Sequence, residues 1–270
     1  MIHIESSKLV VIKIGVSQLF DIKLGEFNVD WLASLAEDIK HYTIKFNVKF
    51  ILVVSGAYVC SAHAESLNIA KLKLQEKQFY SVLGNQGLMM RYHSLFDKVK
   101  IMTVPLYITI EDIENRKRFL SAKAIIENMI AKSYLPIVIE NDLVTSAELR
   151  FGDSDRLSAK IAHLTDADLL VLFSRVDGLY TEDPQINGAA RFVKEIYDIT
   201  TEIEKMATDS SFSSGGMSAK IAAAKIAVNS GTNCVIMREG IRSPLSKLDI
   251  GFKASRFCHS STGNKKFVID

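Results

Sequence analysis

The chain has 270 residues, of which 33 are basic and 31 acidic, so its formal net charge at pH 7 is +2. This near balance, without a dense basic block, excludes the electrostatic footprint of a nucleic-acid-binding protein. A hydrophobic fraction of 48% with only four prolines predicts an ample core and no long disordered linker. No apolar run approaches the roughly 20 residues that span a bilayer, and no signal-peptide pattern occurs at the N-terminus.

Short apolar runs alternate with amphipathic stretches along the chain. The runs predict strands at 9–14, 50–54, 100–105, 135–139, 169–173 and 233–237, and the amphipathic stretches predict helices at 29–45, 80–96, 111–131 and 216–230. This alternation is typical of βαβ units around a mainly parallel sheet. No shift in composition divides the sequence, so we expect a single α/β domain spanning residues 1–270.

Cysteines and histidines show no metal-binding pattern. The three cysteines, Cys60, Cys234 and Cys258, lie far apart in the sequence, which predicts reduced thiols in a cytoplasmic protein. The six histidines share no ligand spacing, and none lies beside a candidate nucleophilic serine. We therefore predict no metal site built from protein side chains.

Glycine-containing turns follow the first two predicted strands. Lys13 lies near the end of the first strand, directly before Ile14 and Gly15, and it needs a partner because burying an unpaired ammonium group is costly. Phosphate groups at the carboxyl edge of the sheet would supply one, and snorkelling at the strand end is the alternative. Ser55-Gly56-Ala57 follows the second strand, where free N–H groups at a helix start can bind a carboxylate or phosphate. The alternative there is a tight turn that needs glycine for its shape alone.

Two acidic clusters lie close together in the middle of the chain. They are residues 140–142 (END), just beyond a predicted strand, and residues 153–155 (DSD), before an Ala- and Leu-rich helical stretch. One carboxylate of the second cluster could cap the helix while the other points into a site. If Asp155 lies between Lys13 and Lys220, it would orient both ammonium groups toward a transferring phosphoryl group. The alternative is a pair of helix-capping aspartates.

A glycine-rich segment precedes the last predicted helix. Residues 213–220 read SSGGMSAK, with Lys220 in the first helical turn. Consecutive glycines before a helix suit a loop around a triphosphate, although the segment matches neither the P-loop nor the G-x-G-x-x-G pattern. A flexible linker is the alternative.

These segments together resemble one protein family. The motifs are VVIKIG (10–15), VVSGA (53–57), LGNQGLMMRYHSLF (83–96), RKRFLSAKAIIENMI (116–130), PIVIEND (136–142), RFGDSDRLSA (150–159), DGLYTEDP (177–184) and SGGMSAK (214–220). Their combination is similar to the amino acid kinase family, and within it to the branch that phosphorylates L-glutamate. The match covers nearly the whole chain.

The resemblance implies a three-layer αβα sandwich with a mainly parallel central sheet. It implies a substrate-binding half of about residues 1–165 and a nucleotide-binding half of about 166–270. The implied reaction is transfer of the ATP γ-phosphoryl group, with Mg²⁺, to the side-chain carboxylate of L-glutamate, which opens proline biosynthesis. The implied partners are a glutamate-5-semialdehyde dehydrogenase, which consumes the acyl phosphate, and further copies of the chain in a homo-oligomer.

The roles of individual residues follow from the same resemblance. Lys13 and Lys220 would stabilise the transferring phosphoryl group, and Asp155 would organise the two lysines. The residues implied to bind glutamate are Ser55, Gly56, Ala57, Asp142 and Ser154. Those implied to face ATP are Lys13, Gly15, Ser174, Arg175, Ser214, Gly215, Gly216, Met217, Ser218, Ala219 and Lys220. A carboxylate acceptor is already ionised at neutral pH, so no histidine base is expected.

Departures from the family pattern leave two alternatives open. Ser154 stands where the family usually has asparagine, and Arg175 where it usually has aspartate. A kinase of the same fold that acts on another small carboxylate or phosphate acceptor is one alternative. A non-catalytic nucleotide-binding homologue is the other. The chain also ends where many members continue into an RNA-modification-like (PUA) domain, which we expect it to lack.

Overall fold

The centre of the protein is a large β-sheet. The computed structural model describes residues 2–144, 153–184, 186–207, 216–259 and 267–269. Within these ranges nine strands form one sheet, and β2 and β3 form a separate hairpin. The strands are β1 (Leu9–Ile14), β2 (Phe20–Asp21), β3 (Glu26–Phe27), β4 (Lys49–Val54), β5 (Thr103–Ile108), β6 (Leu135–Glu140), β7 (Leu169–Ser174), β8 (Val193–Ile196), β9 (Asn233–Arg238), β10 (Ala254–Phe257) and β11 (Phe267–Ile269).

Helices cover both faces of this sheet. They are α1 (Val16–Leu19), α2 (Val29–Phe46), α3 (Ala57–Ala64), α4 (Leu74–Lys98), α5 (Ile110–Glu114), α6 (Arg116–Ala131), α7 (Ser154–Leu164), α8 (Thr201–Met206), α9 (Met217–Asn229) and α10 (Pro244–Asp249). One core packs α2, α4 and α10 on one face, and the other packs α6, α7 and α9 on the opposite face. The predicted three-layer αβα sandwich is therefore confirmed.

Strand β1 lies inside the sheet at a change of direction in the strand order. The order is β11-β8-β10-β9-β7-β1-β4-β6-β5. β1 pairs in parallel with β4 on one side and with β7 on the other. The antiparallel pairs of this sheet, β10 with β9 and β11 with β8, lie toward one end. In open α/β sheets a ligand binds at the carboxyl ends of the strands where the order reverses, which here are β1, β4 and β7.

The period-two alternation of β1 decides where Lys13 points. Val10, Ile12 and Ile14 belong to the core with α2 and α4, whereas Val11 belongs to the core with α7 and α9. Lys13 lies two residues after Val11 and therefore faces the same side of the sheet. The Lys13 side chain therefore points toward the first turns of α7 and α9.

Helix α4 is long and amphipathic. It has 25 residues, and it buries Leu88, Tyr92 and Phe96 while Arg91 reaches solvent. No helix within the described ranges combines the length and apolarity needed to cross a membrane.

Most predicted elements occur near their predicted ranges, and two predictions need correction. The single helix predicted at 111–131 is wrong, because the Asn115 side chain accepts hydrogen bonds from the N–H groups of Lys117 and Arg118 and so caps a new helix. The strand predicted at 100–105 begins at Thr103, because Lys100 has a left-handed φ of 62° that ends the preceding helical segment. The division into halves near residue 165 stays a prediction, since one sheet runs through both.

Candidate active site

A cavity of about 550 Å³ opens at the carboxyl ends of β1, β4 and β7. The predicted site residues that line it are Lys13, Gly15, Ser55, Gly56, Ser154, Asp155, Ser174, Arg175, Gly216, Met217 and Lys220. Ala57, Asp142, Ser218 and Ala219 do not line it, and Ser214 and Gly215 lie outside the described residues. The folded chain thus brings together predicted residues from both sides of the central strand.

Asp155 lies between two buried lysines. Its Oδ1 is 3.1 Å from Lys13 Nζ, and its Oδ2 accepts a hydrogen bond of 2.9 Å from Lys220 Nζ. The exposed fractions of Lys13, Asp155 and Lys220 are 8%, 2% and 5%. Charges this deep persist only when they are paired, and here two ammonium groups share one carboxylate. The group of Lys13, Asp155 and Lys220 therefore carries one positive charge in excess, which favours an anionic ligand beside it.

Neighbouring charges and burial shift the pKa values of Asp155 and Lys220. Burial alone would raise the pKa of the Asp155 carboxyl, but the ammonium groups of Lys13 and Lys220 outweigh burial and hold that pKa below its usual value. Burial lowers the pKa of Lys220, Asp155 counteracts this, and Lys13 adds to the lowering. An anion placed beside both lysines would stabilise their protonated forms.

The first turn of α7 brings Asp155 and Ser154 to the cavity. Asp153 is the N-cap residue, but its side chain makes no capping hydrogen bond, so the expectation of a capping aspartate is wrong for Asp153. Its ψ of 48° departs from the extended conformation that aims an N-cap side chain at the first-turn N–H groups, and it lines the cavity instead. The buried Ser154 Oγ donates to Ser55 Oγ at 2.9 Å, which joins α7 to the turn after β4.

Two glycines leave the turns after β1 and β4 without side chains at positions where space is short. Gly56 has a φ of 88°, and a Cβ there would lie 2.5 Å from Val16 Cβ, so a larger residue would be strained and would clash. A Cβ at Gly15 would lie 3.3 Å from Lys13 Nζ. Small turns at both positions therefore leave the Lys13 ammonium group accessible from the cavity.

A buried hydrogen-bond network, which was not predicted from the sequence, closes the turn after β1. Gln18 is 3% exposed, and its Oε1 accepts from the Gly15 N–H at 2.6 Å. Its Nε2 donates to Glu239 Oε2 at 2.6 Å, and Ser17 Oγ donates to the same oxygen at 2.8 Å. A glutamine three residues after the N-cap is a capping-box signal. Its partner Glu239 gives no local signal, because it lies 221 positions away.

The N-terminus of α9 faces the cavity beside Lys220. Gly216 is the N-cap residue, Met217 is the first helical residue, and both line the cavity. The first N–H groups of a helix have no acceptor within the helix, so they suit phosphate oxygens. Ser174, the last residue of β7, and Arg175, which follows the strand, line the same cavity. This side of β1 offers the donors that a polyphosphate chain needs.

Asp142 borders a second, smaller hollow. The hollow has a volume of about 350 Å³, and Ser81 Oγ donates there to Asp142 Oδ2 at 2.6 Å. The buried Oδ1 of Asp142 accepts no hydrogen bond from the described part of the chain. Burial raises the pKa of Asp142 to about 6, against the effect of Ser81. Burial and then the charge of Asp142 raise the pKa of Tyr58, which lines the main cavity, so Asp142 lies near that cavity's border.

Glu140 carries a strongly shifted carboxyl group at the end of β6. It is 5% exposed, and burial, then the charges of Asp142 and Asp153, raise its pKa to about 8, while Lys13 opposes them. Because the folded-state pKa lies above the unfolded value near 4.3, the stability contributed by the protonated group is lost as pH rises between these values. We expect Glu140→Gln to flatten this decline and to gain about 5 kcal/mol over the wild type above pH 8, measured by urea unfolding.

A matched control for this prediction is Glu204→Gln, because Glu204 forms an exposed ion pair with Lys225. We expect that variant to keep the pH dependence of the wild type. A Glu140→Gln variant with an unaltered pH profile of stability would contradict the assigned carboxyl shift.

Metal-ligand side chains are not grouped within the described ranges. No three His, Cys, Asp or Glu residues there are placed to hold a metal ion. Cys60, Cys234 and Cys258 are free thiols, and burial raises the pKa of Cys60 to about 11, which makes it a poor nucleophile. The chemistry that this cavity offers is charge neutralisation by lysines and helix N–H groups.

Comparison with known sequences identifies the family of the chain. A sequence model of the amino acid kinase family matches residues 8–238. The chain belongs to the amino acid kinase family. Over 274 residues it is 36% identical to the glutamate 5-kinase of Paramagnetospirillum magneticum, covering 100% of this chain and 74% of that protein. Over 274 residues it is 40% identical to the glutamate 5-kinase of Pelagibacter ubique, covering 99% of this chain and 73% of that protein.

Solved structures share the amino acid kinase fold. A UMP kinase from Bacillus anthracis matches with a TM-score of 0.68 at 14% identity, covering 98% of this chain and 99% of that one. An isopentenyl phosphate kinase matches with a TM-score of 0.61 at 16% identity, covering 92% and 99%. At such identities the likeness shows the fold alone.

Proposed function

We propose that the chain catalyses ATP-dependent phosphorylation of the side-chain carboxylate of L-glutamate, with γ-glutamyl phosphate and ADP as products. This reaction is the first step of proline biosynthesis. The observation that carries the proposal is the pairing of Lys13 and Lys220 through Asp155, at 3.1 and 2.9 Å, in a chain related to glutamate 5-kinases. The two cations line a cavity that also presents a helix N-terminus.

The proposed nucleophile needs no base. A glutamate side chain has a pKa near 4.3, so its carboxylate is ionised at neutral pH. One carboxylate oxygen attacks the γ-phosphorus, the bond from that phosphorus to the ADP oxygen breaks, and the electron pair leaves with ADP. Lys13 and Lys220 neutralise charge on the transferring phosphoryl oxygens, and Asp155 holds both ammonium groups in place. Positioning and charge neutralisation supply the catalysis.

ATP is the proposed phosphoryl donor, accompanied by Mg²⁺. We assign the triphosphate to Lys220 and the N–H groups at the start of α9, near Gly216 and Met217, with Ser174 and Arg175 bordering the same end. The donor set of this end fits a polyphosphate, and the described ranges hold no group of three metal ligands. This fits an ion coordinated mainly by phosphate oxygens and water. Mg²⁺ bound in that way would neutralise charge on the phosphates.

L-Glutamate is proposed to lie on the β4 side of Lys13. The turn of Ser55, Gly56 and Ala57 would receive its side-chain carboxylate together with Ser154, and Asp142 would receive its ammonium group. Because the Ser154 hydroxyl donates to Ser55 Oγ at 2.9 Å, the proton of the Ser55 hydroxyl remains for the substrate. The two serines would therefore offer the substrate one hydrogen-bond donor, the Ser55 hydroxyl.

Asp142→Ala tests the assignment of the substrate ammonium group. We expect the KM for glutamate to rise about 30-fold or more, because the ammonium group loses a desolvated counter-charge, while the KM for ATP stays near the wild-type value. Since the pKa of Asp142 is about 6, the wild-type KM for glutamate should fall as pH rises through that value, and the variant should lose this dependence. Steady-state kinetics at several pH values measure both effects. Equal changes in the two KM values would contradict the assignment.

An acceptor panel tests the proposed reaction. The purified chain would be incubated with ATP, Mg²⁺ and hydroxylamine, which traps acyl phosphates as hydroxamates. L-Glutamate should give hydroxamate and ADP in equal amounts, and L-aspartate and N-acetyl-L-glutamate much less. Preferred use of another carboxylate, or ADP release with a phosphate acceptor alone, would replace glutamate as the substrate. If none of the acceptors in the panel led to ADP release, the kinase proposal would be rejected.

The reactivity of the product also bears on its partners. An acyl phosphate hydrolyses in water, and we propose that a glutamate-5-semialdehyde dehydrogenase consumes it in the cytoplasm. We also propose a homo-oligomer. Exposed apolar side chains on α4 and on the edge strand β5 support it, among them Phe79, Met90 and Tyr107.

A further inference from the structure

One lysine reaches the cavity from the acceptor side of the central strand. Among the described lining residues, Lys13 and Lys220 meet Asp155, Arg175 follows β7, and Lys77 comes from α4. α4 packs against α3, which follows β4, so Lys77 lies on the side assigned to the acceptor. Lys77 is half-buried and forms no ion pair with the described part of the chain. A partly desolvated cation without a counter-charge favours an anionic ligand.

Helix α4 carries Lys77 one turn before a residue that binds a carboxylate. Ser81 lies one helical turn after Lys77 and therefore on the same face of α4. Ser81 Oγ donates to Asp142 Oδ2 at 2.6 Å, and Gln78 Nε2 donates to the Asp142 backbone carbonyl at 3.0 Å. The face of α4 that carries Lys77 therefore also holds the Asp142 carboxylate, one turn further along the helix.

We infer that Lys77 binds the α-carboxylate of the acceptor amino acid. The inference rests on the proposed function, because it takes the side-chain carboxylate to lie near Lys13 and the ammonium group near Asp142. An α-amino acid carries its carboxylate and ammonium groups on one carbon, so the two need opposite charges close together. Lys77 and Asp142 supply that pair. Lys77 then selects acceptors with a free α-carboxylate and takes no part in the phosphoryl transfer itself.

The test compares two acceptors in wild type and in Lys77→Met, which keeps the side-chain length and removes the charge. L-Isoglutamine keeps the side-chain carboxylate and the ammonium group but has an amide in place of the α-carboxylate. Wild type should use it with a kcat/KM about 10- to 100-fold below that for L-glutamate. In Lys77→Met the value for L-glutamate should fall to that level through KM, while kcat, the KM for ATP and the use of L-isoglutamine stay unchanged. Lys77→Arg should keep most of the preference.

Lys71→Met is the matched control, because Lys71 is an exposed lysine that precedes α4 and lies outside the cavity. It should keep the preference for L-glutamate. The inference is overturned if Lys77→Met keeps that preference, if it loses activity equally with both acceptors, or if wild type uses both equally well. A wild-type protein that phosphorylates neither acceptor would instead reject the proposed function.

Discussion

Lys220→Ala should lower kcat for glutamate phosphorylation by about 10³-fold or more while the protein stays folded. The Lys220 ammonium group is one of two cations proposed to neutralise the transferring phosphoryl group, and it lies 2.9 Å from Asp155. Its removal leaves Asp155 paired with Lys13 at 3.1 Å, so the buried carboxylate keeps a counter-charge and most of the stability should persist. Hydroxamate formation measures turnover, and urea unfolding measures stability.

Lys225→Ala is the control for this variant. Lys225 lies on the same helix, α9, but forms an exposed ion pair with Glu204 at 2.6 Å. An exposed pair contributes little, so this variant should keep wild-type turnover and stability. Wild-type turnover in Lys220→Ala would remove the lysine from the mechanism.

Asp155→Asn should cause large losses of both stability and turnover. The change leaves the ammonium groups of Lys13 and Lys220 buried together without their shared carboxylate. Removing one partner of a buried ion pair costs about 3–5 kcal/mol, and the two lysines would repel each other as well. Their protonated forms become less favourable, so the cations that the reaction needs are lost or displaced. Urea unfolding at pH 7 and the kcat for hydroxamate formation measure the two effects.

The pH dependence of this loss follows from the direction of the Asp155 shift. Its neighbouring lysines hold the pKa of Asp155 below the ordinary value, so its stabilising contribution is present above the unfolded-state pKa near 3.9 and is lost as pH falls below it. The difference between wild type and Asp155→Asn should therefore shrink below about pH 4. Asp166→Asn is the control, since Asp166 pairs with Lys123 at the surface. An Asp155→Asn variant as stable and active as this control would refute the paired-lysine site.

The elements that could be predicted from the sequence have local signals. β1 was predictable as a run of β-branched residues, and its alternation places Lys13 on the face of Val11. Gly56 indicated a tight turn, and its φ of 88° explains why glycine is needed there. The contact between Asp155 and Lys220 could not be predicted from the sequence and was written only as a conditional statement. The two residues are 65 positions apart, and their distance depends on how α7 packs against α9.

The features that were missed depend on contacts between distant residues. Gln18 shows a capping pattern in the sequence, but its buried amide is satisfied by Glu239, which only the folded sheet brings near. Asp142 was predicted to bind glutamate, but its partner was not predicted. Ser81 holds it at the border of a second hollow, through a helix whose start at Leu74 was not predicted. The same helix start places Lys77 at the cavity, which no spacing in the sequence indicates.

The most direct test of the account follows an oxygen atom. L-Glutamate labelled with ¹⁸O in its side-chain carboxylate would be incubated with the protein, ATP, Mg²⁺ and hydroxylamine, and the released phosphate analysed by mass spectrometry. If the carboxylate attacks the γ-phosphorus, the bridging ¹⁸O leaves with phosphorus when hydroxylamine attacks the acyl carbon. Each hydroxamate should then be matched by one phosphate with a single ¹⁸O, and Lys220→Ala should form neither. Unlabelled phosphate would show that water, not glutamate, accepts the phosphoryl group, and would contradict the account.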